Sequence, residues 1–339
     1  MFNYFKFTKA KREHAEQPKN AKTWTAHMFS ELIGTIWISL GLAGLSILIN
    51  GKALESKFLL SNVIVGFFAG FIIVGSCLFI FARWSCDLNP SVTIYWWING
   101  TNTSLYAILK IIMQMIGGIL AGLIIYGIGY ATNNGAEWRA SNLAISAAAS
   151  ANKDFLEFNN AGKQAIIGGS LWIFFGEMVM TAILLFPIFS PRFEAKYRDL
   201  MILFIISLSV WMGILQGSAA INPARGLAQQ VPDLFFGIKE GSSASIQADL
   251  SHLHGVPQRY ADLYSATAAM MVGDFLAPFF YALVQGFTDK CGVPFINGAI
   301  QFKNNKMQNM ISNYDLQQMK QAKKEEAKQD ENNIAQKNE

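Results

Sequence analysis

Six stretches of this chain are each long and apolar enough to cross a bilayer as a helix: approximately 28–49, 58–82, 104–128, 168–190, 199–217 and 265–287. Spanning the hydrocarbon core takes about 20 apolar residues in helical form. Soluble core helices rarely repeat that length six times, so the reading is an all-α polytopic membrane protein. Composition agrees once the ends are set aside. Of 339 residues, 52% are hydrophobic and 15% charged, against about 25% charged in ordinary soluble domains. Residues 1–26 and 302–339 are rich in Lys, Asn, Gln and Glu, which holds the mean hydropathy down to +0.27.

An even number of spans puts both termini on one side, and Lys and Arg choose the side. The leader supplies Lys6, Lys9, Lys11, Arg12, Lys19 and Lys22. Short connections add Arg83, Arg192, Lys196 and Arg198, and the tail adds seven more Lys from Lys303 to Lys337. The opposite side carries scattered charges on longer loops, so both termini are expected to be cytoplasmic. The first apolar run begins behind a long charged leader, so no cleavable signal is expected. The Lys/Asn/Phe/Ile-heavy composition leans bacterial.

Several function classes drop out. The net charge of +4 comes from clustered Lys without a basic-aromatic pattern, so no nucleic-acid partner is expected. Cys77, Cys86 and Cys291 form no CxxC and fit no zinc spacing, and read as small hydrophobes or free thiols. His252 and His254 have no ligand cluster nearby, so no metal and no cofactor are expected.

The two halves of the chain share a pattern. The first span begins "ELIGTIWIS" and the fourth "EMVMTAILL", each reading E-x-x-x-T through Glu31 and Thr35, then Glu177 and Thr181. An Asn-Pro pair follows the second helix of each half: Asn89-Pro90 in "CDLNPSVTIYWW" and Asn222-Pro223 in "GSAAINPARGLAQQ". Three helices per half force the halves to insert with opposite orientation, an inverted repeat. The apolar segments after each Pro, "PSVTIYWWI" and "PARGLAQQV", are too short to cross. Asn suits the N-cap and Pro the first helical position. Two re-entrant half-helices are therefore expected to meet N-terminus to N-terminus around a pore. Each Asn amide would there donate to, and accept from, a passing oxygen. Two positive dipole ends would oppose cations and protons. Glu31 and Glu177 are expected to face inward and accept from loop N–H groups. A proton relay through them is disfavoured, because the spans offer almost no titratable neighbours.

These residues resemble the major intrinsic protein family, the aquaporins and aquaglyceroporins, over about 27–287. "LNPSVTI" is similar to the family's first NPA box, with Ser91 in place of the usual Ala, and "INPARGL" to the second. The E-x-x-x-T pairs and "YAILKIIMQMIGG" in the third span add to it. The resemblance implies six transmembrane helices plus two half-helices in a right-handed bundle, one pore per subunit, assembled as a homotetramer. It implies no enzyme activity. The NPA-box residues would be Asn89, Pro90 and Ser91 with Asn222, Pro223 and Ala224, and Arg225 would be the filter arginine near the outer mouth.

Counting from the asparagines puts Ala69, Val210 and Ala219 at the other filter positions. A one-residue shift before Asn222 would move two of them to Ser209 and Ser218, and Phe68 or Trp211 could swing in. All three primary positions are small and apolar, which favours a glycerol-like polyol over strict water selectivity. Asp87 stands where the family's His would be, and Arg83, Trp84 and Asp87 are either a cytoplasmic gate or a repacked turn. Asp274 stands where a Pro is common, either functional or near the outer interface.

The organisation read from the sequence is a basic cytoplasmic leader 1–26, a channel domain 27–287 and a charged cytoplasmic tail 288–339, frayed helix or disordered. The channel domain has half-repeats about 27–128 and 168–287, with long outside loops 129–167 and 231–263. The functional expectation is a passive plasma-membrane channel of glycerol-facilitator type for glycerol and water. The alternatives are a conformationally cycling transporter and a pore-closed scaffold using its outer loops.

Overall fold

A computed structural model describes residues 5–44, 48–49, 52–53, 62–132, 166–190, 194–216, 220–237, 260–308 and 313–336. The long outside loops fall mostly outside the described residues, as do Ser218, Ala219, His252 and His254. Two compact units separate along the chain, Phe2–Val284 and Gln285–Glu339.

In the first unit, α1 spans Ala21–Ala43. It starts earlier than the apolar run suggested because Asn20 caps it: its side chain accepts from Thr23 N at 2.9 Å and Thr23 Oγ1 at 3.0 Å. It also stops earlier, at Gly44. Beyond it Leu48–Ile49 (β1) pairs antiparallel with Lys52–Ala53 (β2), so the run 28–49 is not one helix. Next come α2 (Asn62–Phe67), a π segment (Phe68–Val74) and α3 (Gly75–Phe81), running on from one another. Then follow α4 (Pro90–Ile98), α5 (Ser104–Thr132), α6 (Ile166–Phe189), α7 (Ala195–Gln216) and α8 (Pro223–Pro232) with a π turn behind it. α9 covers Tyr260–Phe287.

Among the described residues five helices are long and apolar enough to cross a membrane: Ala21–Ala43, Ile64–Phe81, Ser104–Ile128, Gly168–Phe189 and Leu263–Asn304. The remaining apolar run, 199–217, is helical in α7. Their outward faces are apolar too, with Phe79 at 77% and Phe29 at 62% exposure, the pattern of a bundle solvated by lipid rather than water.

α1 packs on α5 and α8, α8 lies against α5, and α7 packs on α2, the π segment and α6. Small residues permit the closest approaches. A Cβ on Gly273 in α9 would stand 2.5 Å from the Phe174 carbonyl of α6, and one on Gly118 in α5 would collide with the Ala224 carbonyl of α8. Two apolar clusters flank the centre: Val74, Met180, Leu184, Ile206 and Ile221, and then Val92, Tyr95, Ile98, Leu185 and Tyr281.

The leader before α1 is docked on the end of α4. Lys6 N donates to Ile98 O at 2.8 Å, and Glu16 forms a parallel bridge with Asn102. Arg12 donates to Trp97 O at 2.5 Å and to Ser104 Oγ at 3.0 Å, with its guanidinium 5.1 Å from the Trp97 ring.

In the second unit a π turn, Thr288–Gly292, leads from α9 into α10 (Val293–Gln308), and α11 covers Asn313–Gln336. Pro294 lies just after the π turn, inside this continuous helical path. The tail is thus largely helical.

Candidate functional site

Both Asn-Pro pairs start a helix in the same way. Asn89 has extended backbone and its side-chain oxygen accepts from Ser91 N at 2.9 Å, with Pro90 at the first helical position of α4. Asn222 Oδ1 accepts from Ala224 N at 3.0 Å and Arg225 N at 3.2 Å at the head of α8. The amide nitrogens reach across to the opposite loop. Asn89 Nδ2 donates to Ile221 O at 2.9 Å, and Asn222 Nδ2 donates to Leu88 O at 2.7 Å. Each amide oxygen is therefore engaged with its own helix, and one of two amide protons with the facing loop. The second proton is what each Asn retains for other partners.

The residues before the asparagines carry the turns. Leu88 has φ 50° and Ile221 has φ 47°, a left-handed backbone that is a true outlier for a bulky residue such as Leu or a β-branched one such as Ile. Such residues cost on the order of 1–3 kcal/mol and persist where surroundings over-determine them. Here a carboxylate clamps each loop from beneath. Glu31 accepts from Asp87 N at 3.0 Å and Leu88 N at 2.8 Å, and Glu177 from Ala220 N at 2.9 Å and Ile221 N at 3.0 Å. Both carboxylates are almost fully buried.

The supports differ between halves. Around Glu31, Gln114 donates at 2.7 Å and Ser85 Oγ at 2.5 Å. Lys110 Nζ lies 3.5 Å from Glu31 and 2.5 Å from Asp87, itself bonded to Thr93 Oγ1 at 2.8 Å. His27 meets Tyr106 OH at 2.6 Å beside them. The sequence reading treated the spans as nearly free of titratable neighbours, and this cluster corrects it. Lys110 was the missed residue. A Lys inside an apolar span, one turn before Gln114, is the signal that could have found it. In the other half Asp274 is fully buried rather than at an interface. Thr181 Oγ1 donates to its carboxylate at 2.5 Å, and Ser91 Oγ donates to its carbonyl at 2.8 Å.

A cavity of about 270 Å³ follows the junction. Asn89, Asn222, Arg225 and Asp87 supply its polar lining, while Ile38, Val74, Leu184, Ile188, Ile202 and Ile206 line it with apolar surface. Ala69 and Val210 are not among its lining residues: Ala69 is buried in the π segment at 1% exposure, and Val210 is half-buried on α7. Ser209 is fully buried. A second cavity of about 560 Å³ lies on the leader side, lined by Glu16, Lys19, His27, Trp84, Asp87 and Lys110 among others. Trp84 is 52% exposed at its rim, and Arg83 is exposed outside both linings.

Membrane-length helices around a cavity capped by two reciprocal Asn turns define a membrane channel class. Residues 14–237 match the major intrinsic protein family, and the chain belongs to it. Proteins of this family are channels rather than enzymes, and this chain is a multi-pass passive channel for water or small solutes. Among solved structures it is similar to the X-ray structure of the aquaglyceroporin from Plasmodium falciparum, at 16% identity and a TM-score of 0.46, over 81% of this chain and 99% of that chain. No curated protein matches it.

Proposed function

We propose that this chain is a passive channel for small uncharged solutes, glycerol-like polyols together with water, of the glycerol-facilitator type. In this reading six transmembrane helices and the two half-helices α4 and α8 form an inverted repeat, with both termini on the cytoplasmic side of the plasma membrane and four copies assembling. The observation that carries it is the reciprocal pairing of Asn89 and Asn222 across the junction, beside a cavity that also holds Arg225.

The chemistry of that cavity supports a polyol. Its aliphatic wall suits a carbon backbone, and the asparagine amides and guanidinium offer donors to hydroxyl oxygens. Two helix N-termini, each worth on the order of half a positive charge, converge with Arg225 and oppose cations and protons. Glu31 and Glu177 act as structural acceptors for the loops. Asp87 sits with Lys110 in the wall toward the leader. In this reading the chain is divided into a leader 1–26, a channel domain 27–287 and a tail 288–339.

The test is permeation in proteoliposomes followed by stopped-flow light scattering with water, glycerol and urea. The wild type passes water and glycerol. Arg225→Ala passes bulkier solutes or cations in addition. Identical permeability of the two to glycerol, urea and ions contradicts the filter role of Arg225.

A further inference from the structure

Resting on that reading, we propose that Trp96 and Asp87 form a second constriction, between the asparagine cavity and the leader-side vestibule, which sets the largest solute the pore admits. The two cavities share three lining residues: Cys86, Asp87 and Trp96. These three are the wall between them, and a solute moving from one to the other passes along their side chains.

The neighbouring tryptophans of α4 divide the work. Trp97 is committed to the leader: it lies under the Arg12 guanidinium, and its indole N–H donates to Ser104 Oγ at 3.0 Å. Trp96, one residue earlier and so turned by about 100° on a helix of 3.6 residues per turn, faces both cavities. Its ring stands edge-on to Phe189 at 4.7 Å and an interplanar angle of 81°, and its carbonyl accepts from Thr101 N and Asn102 N, each at 3.0 Å. It lies seven residues after Asn89, about 10 Å further along the helix. Trp96 is therefore set apart from Asn89 along α4, while Asp87 lies two residues before Asn89 on the loop.

The other two shared lining residues are equally fixed. Asp87 is held by Thr93 Oγ1 at 2.8 Å and Lys110 Nζ at 2.5 Å, and Cys86 Sγ lies 3.6 Å from Cys77 O. The Trp96 side chain and the ion-paired Asp87 carboxylate thus both line the passage from one cavity to the other. Width is governed by the aromatic side chain, and the carboxylate oxygens offer acceptors to solute hydroxyls.

The full-length protein in proteoliposomes is tested with water, glycerol, erythritol and xylitol across the series Trp96, Trp96→Phe, Trp96→Leu and Trp96→Ala. The Phe variant keeps an aromatic ring beside Phe189, which also lies 4.1 Å from Tyr95 in the wild type, so the packing beneath the site is expected to survive. The expected result is a size cut-off that rises as the side chain shrinks, with several-fold faster xylitol passage in Trp96→Ala and little change for water. A conducting wild type whose polyol cut-off is the same throughout the series, or unordered by side-chain volume, overturns the constriction while leaving the channel reading intact. A wild type and variants that all match empty liposomes overturn both.

Discussion

Asn222 donates from its amide to the carbonyl oxygen of Leu88 at 2.7 Å, across the junction of two helices that begin 133 residues apart in the chain, at Pro90 and Pro223. Asn89 returns the bond to Ile221 at 2.9 Å. Each asparagine thus has two separable jobs, a cap made by its oxygen and a tie made by its nitrogen. Asn222→Asp keeps the capping acceptor but presents oxygen to the Leu88 carbonyl in place of a donor. It is expected to leave amide protection in 223–232 close to wild type while raising exchange around Leu88–Asn89. Asn222→Ala loses both jobs and is expected to cost about 1–3 kcal/mol, read as a lower unfolding midpoint in detergent.

Glu177 satisfies two buried backbone donors, Ala220 N and Ile221 N. Removing the carboxylate leaves both without that acceptor, at roughly 1–3 kcal/mol each. Glu177→Ala is therefore expected to unfold at clearly lower temperature than wild type. An unchanged midpoint would mean that water or another group takes over the loop.

Lys110 lies against the buried Glu31 and the partly buried Asp87, and removing one member of a buried ion pair typically costs about 3–5 kcal/mol. Lys110→Met is expected to lose stability on that scale. Combining it with Asp87→Asn is expected to restore part of the loss, because the uncompensated charge at Asp87 goes with it. A double-mutant cycle on thermal unfolding measures the coupling, and additive losses would contradict a direct pair.

Much of this architecture could be read from the amino acids, and the omissions share a cause. The apolar runs became helices because length and composition act locally. The two E-x-x-x-T patterns and two Asn-Pro pairs were legible because each is a short spacing with one physical consequence: a buried carboxylate near unpaired N–H groups, or a cap before a Pro. Lys110 and Asp87 were not paired in advance, since they are far apart in sequence and their meeting depends on how α5 packs beneath the first loop. The filter positions depend on packing in the same way: counting from Asn89 leads to Ala69, which the structure places in the π segment Phe68–Val74 and not in the lining of the 270 Å³ cavity. The start of α1 was missed because Asn20 caps eight residues before the apolar run becomes obvious.

Arg12 holds the leader with three hydrogen bonds and its stacking over Trp97. Charge-assisted bonds contribute roughly 1.5–3 kcal/mol and an exposed cation–π contact about 0.5–1 kcal/mol. Arg12→Ala is expected to release residues 5–18 locally without unfolding the bundle. Hydrogen exchange checks this: protection falls in the leader and at Thr101–Thr103, and stays level in α5. Loss of protection throughout would make the leader part of the global fold.

The central claim is passive conduction of small uncharged solutes, and stopped-flow measurement of water and glycerol flux in proteoliposomes tests it most directly. The account predicts rates several-fold above empty liposomes, rising in proportion to the solute gradient without saturation, and a pH gradient that persists while glycerol moves. Rates equal to those of empty liposomes, or saturable uptake coupled to an ion gradient, would contradict it.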